Sequence, residues 1–252
     1  MPRACRLLIC VFLPFVSNQF LISQQPATPL SVLQGALAAL GGTNIQTIAM
    51  SGNSEYIAGS TNDTGSFSGS CAVGGSSQFS LKLSAGTLTE TRQTTNGLPT
   101  GTWTGIDGIQ HAIAYHNLLT PASWFCPVVA LSQVVSNPNL NIQFIGNETK
   151  NGANAAHFQV NWSLSGATFE ASRLAHLSQV DIYLDPQTFV PLDFDFTIHP
   201  DKDSGLDIAV EVRFSNYSQV NGVWGPSTVQ RYINSSLALN LQIQSWTPAL
   251  SQ

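Results

Sequence analysis

Charge is what this sequence has least of. Asp, Glu, Lys and Arg together make up 9% of the 252 residues, against roughly a quarter of an ordinary globular chain. The nine Lys and Arg form no cluster, and the formal net charge is -5. Phosphate backbones require a basic stripe, so nucleic acid is excluded as a partner. Long apolar runs are missing too. The longest, LLICVFLPFV from Leu7 to Val16, is too short to span a bilayer. Absent as well are GxSxG, HExxH, CxxC and a phosphate-cradling glycine loop, which removes the common nucleophilic, zinc-hydrolase and nucleotide signatures. Polarity is supplied instead by Ser, Thr, Asn, Gln and Gly, a surface that suits secreted β-proteins.

The short apolar run follows Arg3 and Arg6. A basic start and a brief hydrophobic stretch are the n- and h-regions of a secretory signal peptide. Residues 1–25 are therefore expected to be a signal peptide, with cleavage between Ser23 and Ala27. Cys10 does not make a lipoprotein signal, because the bulky Ile9 precedes it. The expectation is an exported chain, periplasmic or secreted, free or held at the outer membrane, with no transmembrane segment after cleavage. Cys5 and Cys10 leave with the leader, and Cys71 and Cys126 remain. Two cysteines in an oxidising compartment favour one disulfide over two buried thiols. Without a CxxC partner neither builds a metal site.

Residues 27–252 show no linker or break in composition, so one domain is expected. PLSVLQGALAALGG, Pro29 to Gly42, reads as a helix. Ser31 is the candidate cap, Val32, Leu33, Ala36, Leu37 and Leu40 form the apolar stripe, and Gly41-Gly42 stop it. Gln110 to Val135 reads as a short helix through Leu119, a turn, and a second helix from Pro127, where proline suits the first helical position. Most of the rest alternates with a period of two, which is the signature of half-buried strands. Phe158, Val160 and Trp162 share one face, Phe194, Phe196 and Ile198 another. Val210, Val212 and Phe214 do the same, as do Leu239, Leu241 and Ile243. Between these runs stand turn formers: Asn151-Gly152, Asp185-Pro186, Asp203 to Gly205, and Asn221-Gly222.

Consecutive strands with one apolar face each must cover that face. Two or three helical pieces are little cover for about ten strands, so the sheet is expected to curl round them. The predicted fold class is mainly β with a few helices: a single curled antiparallel sheet, an incomplete barrel wrapped over helices.

The second half then resembles a known group. DIYLDPQTFVPLDF carries Asp185-Pro186-Gln187-Thr188 and Pro191. VRFSNYSQVNGVWGPSTVQRYIN carries Tyr217, Val220, Gly222, Val223 and Pro226. Together with LALNLQI, ALAALGG and GNETKNGANAAHFQV, these are similar to the periplasmic lipoprotein-carrier fold, the LolA/LolB-like superfamily. The resemblance runs from about Leu30 to Trp246 and is dense from Gly146 onward. It implies a half-barrel whose apolar concavity takes acyl chains, without catalysis and without a cofactor. The twelve face residues named above would then line that concavity. The carriers' mouth arginine has no aligned counterpart among Arg92, Arg173, Arg213 and Arg231. Binding of a lipid or other hydrophobic ligand is the leading expectation. A structural module of the envelope with a self-filled core and a protein partner is the alternative.

The remaining chemistry is sparse. His111 and His116 lie five apart, which puts them together on neither a helix nor a strand, so a metal is not expected and surface positions are. Asp193 and Asp195 share a strand face about 7 Å apart, a separation usable in glycoside hydrolysis. The plainer account makes them the wet side of a strand whose Phe194 and Phe196 are buried. A hydrolase built on them is the distant alternative. DKDSGLD, Asp201 to Asp207, lacks the distal Glu of a calcium loop and reads as a hairpin turn. Asn62, Asn147, Asn161, Asn216 and Asn234 fit N-x-S/T and matter only in a glycosylating host.

Overall fold

The structure, a computed structural model, describes residues 27–251. The signal-peptide expectation for residues 1–25, with Cys5 and Cys10, lies outside the described residues.

The chain is laid out as two meanders that meet at their far ends. β1 (Ile45–Ala58), β2 (Thr61–Ala72), β3 (Ser77–Leu83), β4 (Gly86–Thr95), β5 (Leu98–Thr104) and β6 (Gln110–Ala112) run outward, hairpin by hairpin. β7 (Leu140–Lys150), β8 (Ala153–Trp162), β9 (Val180–Leu184), β10 (Pro191–Ile198), β11 (Ile208–Val220), β12 (Val223–Ile233) and β13 (Ser236–Leu250) run back inward. β13 then pairs with β1, with Ile48 opposite Pro248 and Tyr56 opposite Leu239. The result is one 13-stranded antiparallel sheet with β6 and β7 as its edges. That is three strands more than the alternation implied: β2 forms from the Gly- and Ser-rich stretch after Ser51, which also lengthens β1, and β5 and β6 are short strands without a clear alternation.

This order forces the link between β6 and β7 to travel from one edge of the sheet to the other. It does so across the apolar side, and the sheet curls round it. The link begins with a 3-10 turn, Tyr115–Leu119, continues through the buried Trp124 and Phe125, and ends in α2 (Pro127–Ser136). The helix expected from Gln110 is thus a short edge strand followed by a 3-10 turn. The helix expected from Pro127 is present, with proline in its first turn. α1 (Pro29–Ala39) lies against α2. Its cap is Thr28 rather than Ser31: Thr28 Oγ1 accepts the Ser31 amide at 3.1 Å, because Pro29 already occupies the first turn. Gly41 ends the helix at φ +70°. A Cβ there would lie 2.0 Å from the Gly222 carbonyl oxygen, so only glycine fits.

Hairpin chemistry sits where the turn formers stood. Asn151-Gly152 and Asn221-Gly222 both have positive φ at each residue, the primed geometry that matches strand twist. Asp185 folds its own turn, its Oδ1 accepting the Gln187 and Thr188 amides at 2.8 and 2.9 Å. α3 (Phe169–Leu177) had no signal in the apolar pattern, since Leu177 is its one buried residue. Thr168 caps it by accepting from the Ala171 amide.

The expected disulfide is formed. Cys71 on β2 bonds Cys126, the residue that precedes α2, across a sequence separation of 55. It ties the crossing link to the sheet. Closing a loop of that size is worth about 4 kcal/mol in the chain-entropy view, and measured bridges give about 2–4. The Cys71→Ser/Cys126→Ser double variant should therefore lose about 2–4 kcal/mol of unfolding free energy in urea titrations while keeping its far-UV spectrum. A loss below about 1 kcal/mol would mean that the link is held by packing alone.

Candidate functional site

The two faces of the sheet differ in chemistry. On the concave side, ten of the twelve predicted lining residues are buried: Phe158, Val160, Phe194, Phe196, Val210, Val212, Phe214, Leu239, Leu241 and Ile243. Trp162 and Ile198 are half-buried, toward the strand ends. These side chains belong to one continuous core that includes Leu33 and Leu37 of α1, Val129 and Leu131 of α2, and Trp124 and Phe125. Cover thins at the β7 edge, where Phe144 packs at 5.2 Å against Phe158 and is 50% exposed.

The same concave side carries charge at one end. Arg231 follows the buried Val229 by two residues on β12, and its guanidinium lies 5.1 Å from the centre of the Trp124 ring. Burial pulls its pKa below the usual arginine value. Its Nε has no hydrogen-bond partner, and no carboxylate pairs with it among the described residues. The Glu90 charge acts on Arg231 against that shift, but the carboxylate is bonded to Arg92, 2.7 Å from its Nε. Arg92 Nη1 in turn donates to the carbonyl oxygens of Asn117 and Thr120 and to Thr120 Oγ1, clamping the crossing link. Two cations and one anion therefore face the apolar space.

On the opposite face a cleft of about 440 Å³ is lined by Lys150, His176, Asp181, Asp195, Asp207 and Glu211, among others. The β7–β8 hairpin builds one wall. Its tip extends past the end of β9 and turns over the sheet, so Lys150 and Asn151 reach β10 and β11. Lys150 Nζ lies 2.6 Å from Asp195 Oδ2 and 3.2 Å from Glu211 Oε1, but 4.0 Å from Asp193. Asn151 donates to Asp193 Oδ2 at 2.8 Å and to Glu211 Oε1 at 2.7 Å. Arg213 Nη2 donates to Glu211 Oε2 at 2.9 Å.

The expectation that Asp193 and Asp195 form a wet strand face needs correction. Phe194 and Phe196 are buried as expected, but so is Asp193, at 1% exposure, and Asp195 is half-buried under the hairpin tip. Burial first, then the Asp195 charge, pushes the Asp193 carboxyl far above its ordinary range, against the opposing pull of Lys150. Glu211 is raised by burial, but hydrogen bonds from Arg213 and Asn151 outweigh this and hold it at about 2. Lys150 is lowered by burial and raised more by Asp195 and Asp193. Three carboxyls thus share two cations, Lys150 and Arg213. One proton, held on the most buried acid, leaves the cluster neutral.

At the other end of the cleft three histidines meet. His199 Nε2 and His176 Nε2 each lie 3.0 Å from Asp207 Oδ1. His116 on the 3-10 turn points its Nε2 at the Pro200 carbonyl oxygen, 3.2 Å away, and its ring stands edge-on to His199. His116 is therefore not a surface residue, whereas the exposed His111, stacked on Trp103, is. The DKDSGLD stretch does turn between β10 and β11, with Asp203 Oδ1 accepting the Gly205 amide. Its last residue, Asp207, serves the histidines. Sequence reasoning missed this group because its members come from α3, the end of β10 and the β10–β11 turn.

No family model and no curated protein matches the sequence. Solved structures do match it in shape. A domain provisionally assigned to outer-membrane lipoprotein sorting in Vibrio parahaemolyticus superposes with a TM-score of 0.54 at 11% identity, covering 87% of this chain and 91% of that one. A DUF1329 family protein of Desulfovibrio piger gives 0.53 at 10% identity, over 88% and 93%. A LolA superfamily protein of Nitrosomonas europaea gives 0.51 at 9% identity, over 87% and 94%. The fold is LolA-like. In LolA-like terms, helices α1 and α2 occupy the concavity and the acidic cleft lies on the outside of the half-barrel.

Asp193 supplies a pH test. A carboxyl with a raised folded-state pKa stabilises the fold below its ordinary value of 3.8 and loses that contribution as the pH climbs toward the raised value. Asp193→Asn removes this dependence. Compared with wild type, the variant should gain stability progressively from about pH 4 to about pH 8 in urea unfolding. Curves that stay parallel over that range would place the proton elsewhere.

Proposed function

We propose that this is an exported, non-enzymatic envelope protein that binds an amphiphile in its LolA-like half-barrel, with the apolar tail against the concave wall and an anionic group at Arg231. The observation that carries this reading is the Arg231 guanidinium, set on the apolar side with no carboxylate bonded to it, where two arginines share the single anion Glu90. A desolvated cation without an anion bonded to it costs up to several kcal/mol, and an incoming carboxylate or phosphate recovers it. Each methylene buried beside it adds about 0.8 kcal/mol. The thinly covered wall at Phe144 gives the tail a way in. Phe158, Val160, Phe194 and the other lining residues are reached by displacing part of α1, while the disulfide keeps α2 in place.

A second reading is supported by the burial of ten lining residues under α1, α2, Trp124 and Phe125. In it the core is filled by the chain itself and the protein acts through a protein partner in the envelope.

Lipid extraction with mass spectrometry and titration with oleate and oleyl alcohol separate the two. The amphiphile reading expects one bound oleate. Arg231→Gln should weaken it about tenfold or more, the worth of a charge-assisted hydrogen bond, with oleyl alcohol affected by less than about twofold. Protein that carries no extracted lipid and takes up neither probe would establish the self-filled core.

A further inference from the structure

We propose that His176, His199 and Asp207 form a binding site for a divalent transition cation such as Zn2+, opening into the cleft on the outer face of the sheet. Their three ligand atoms all lie within 4.8 Å of one another, and Asp207 Oδ1 is 3.0 Å from each imidazole Nε2. A tetrahedral ion with bonds of about 2.0–2.1 Å holds its ligand atoms about 3.3 Å apart; both Asp207–imidazole separations are within a few tenths of an ångström of that, and the two imidazole nitrogens, no more than 4.8 Å apart, close on the ion. Two imidazoles and one carboxylate are a donor set that borderline divalent ions take, with remaining positions left for water or an outside ligand. Hard cations such as Ca2+ prefer oxygen-only sets, so they are not the fit here.

The donors are also held in place. His199 is fully buried at its side chain. Asn117 grips its backbone from both sides, donating to the His199 carbonyl oxygen at 2.7 Å and accepting the His199 amide at 2.9 Å. The other ring nitrogen, Nδ1, is buried without a hydrogen-bond partner, so the ring's one hydrogen bond is through Nε2 to Asp207, and its edges pack on His116 and His176. His176 sits in the last turn of α3, and the side chain of Arg173 one turn earlier bonds Ser204 in the turn that leads to Asp207. His176 and Asp207 line the cleft, so an ion bound there faces that space. In it, Lys150 and the carboxyls of Asp195 and Glu211 stand on the far wall. An ordinary His–Asp–His hydrogen-bond chain would leave the same distances without taking up metal, and the experiment decides between them.

Protein made without a polyhistidine tag, with Cys71–Cys126 oxidised and metal removed by chelator dialysis, is titrated with Co2+ while its visible absorption is followed. Zn2+ is then used in competition. The site expects one equivalent of Co2+, a ligand-field band of tetrahedral or five-coordinate type, and its loss on adding one equivalent of Zn2+. His176→Ala and Asp207→Asn should each weaken uptake about tenfold or more, while the exposed His111→Ala leaves it unchanged. His199→Ala disturbs packing, so the decision rests on the exposed His176. No ligand-field band, or a band that survives His176→Ala at full strength, overturns the site.

Discussion

The whole arrangement rests on the pairing of the first strand with the last. Because β1 and β13 join in the middle of the sheet, the two edge strands are the ones next to each other in sequence, β6 and β7. The segment between them must cross the full width of the sheet. Water cannot satisfy that segment's apolar residues, and the strands' apolar faces need a cover, so both requirements are met by one passage over the concave side. Trp124, Phe125 and α2 are the result. The Cys71–Cys126 bridge, the Arg92 clamp on Asn117 and Thr120, and the paired Asn117–His199 bonds fasten the passage at successive points.

A chain so poor in charge spends it in a few places. Lys150, Asp193, Asp195, Glu211 and Arg213 are gathered over β10 and β11, and Arg92, Glu90 and Arg231 at one end of the concavity. Elsewhere the sheet is wetted mostly by Thr, Ser, Asn and Gln, with scattered charges such as Glu55, Asp63 and Lys82. Low surface charge leaves each buried ionic group to be balanced locally, which is why the hairpin tip of Lys150 and Asn151 folds over the acids. The LolA-like comparison explains the scaffold at 9–11% identity and leaves these clusters as properties of this chain.

What could be read from the residues follows from their periodicity. Phe158 and Val160, or Val210 and Val212, alternate with polar neighbours and gather on one wall, since a period of two has only one way to bury half its side chains. The Asn-Gly turns and the proline that starts α2 were legible for the same reason: each residue type has one backbone conformation it accepts more readily than others. α3 was not legible, because a helix lying on the surface with one buried leucine has no stripe. Asp193 was misjudged because alternation tells which face a residue takes but not what later folds over it.

The sequence by itself determined the class of the fold, the apolar wall and the cysteine pair. These are local or pairwise consequences of pattern and composition. The tertiary structure alone decided that the wall is plugged, that Arg231 faces it with no carboxylate bonded to it, and that Asp193 is dry. It also decided that three histidines and Asp207 meet. Those facts depend on which distant segments cross one another, and strand order, not residue pattern, sets that.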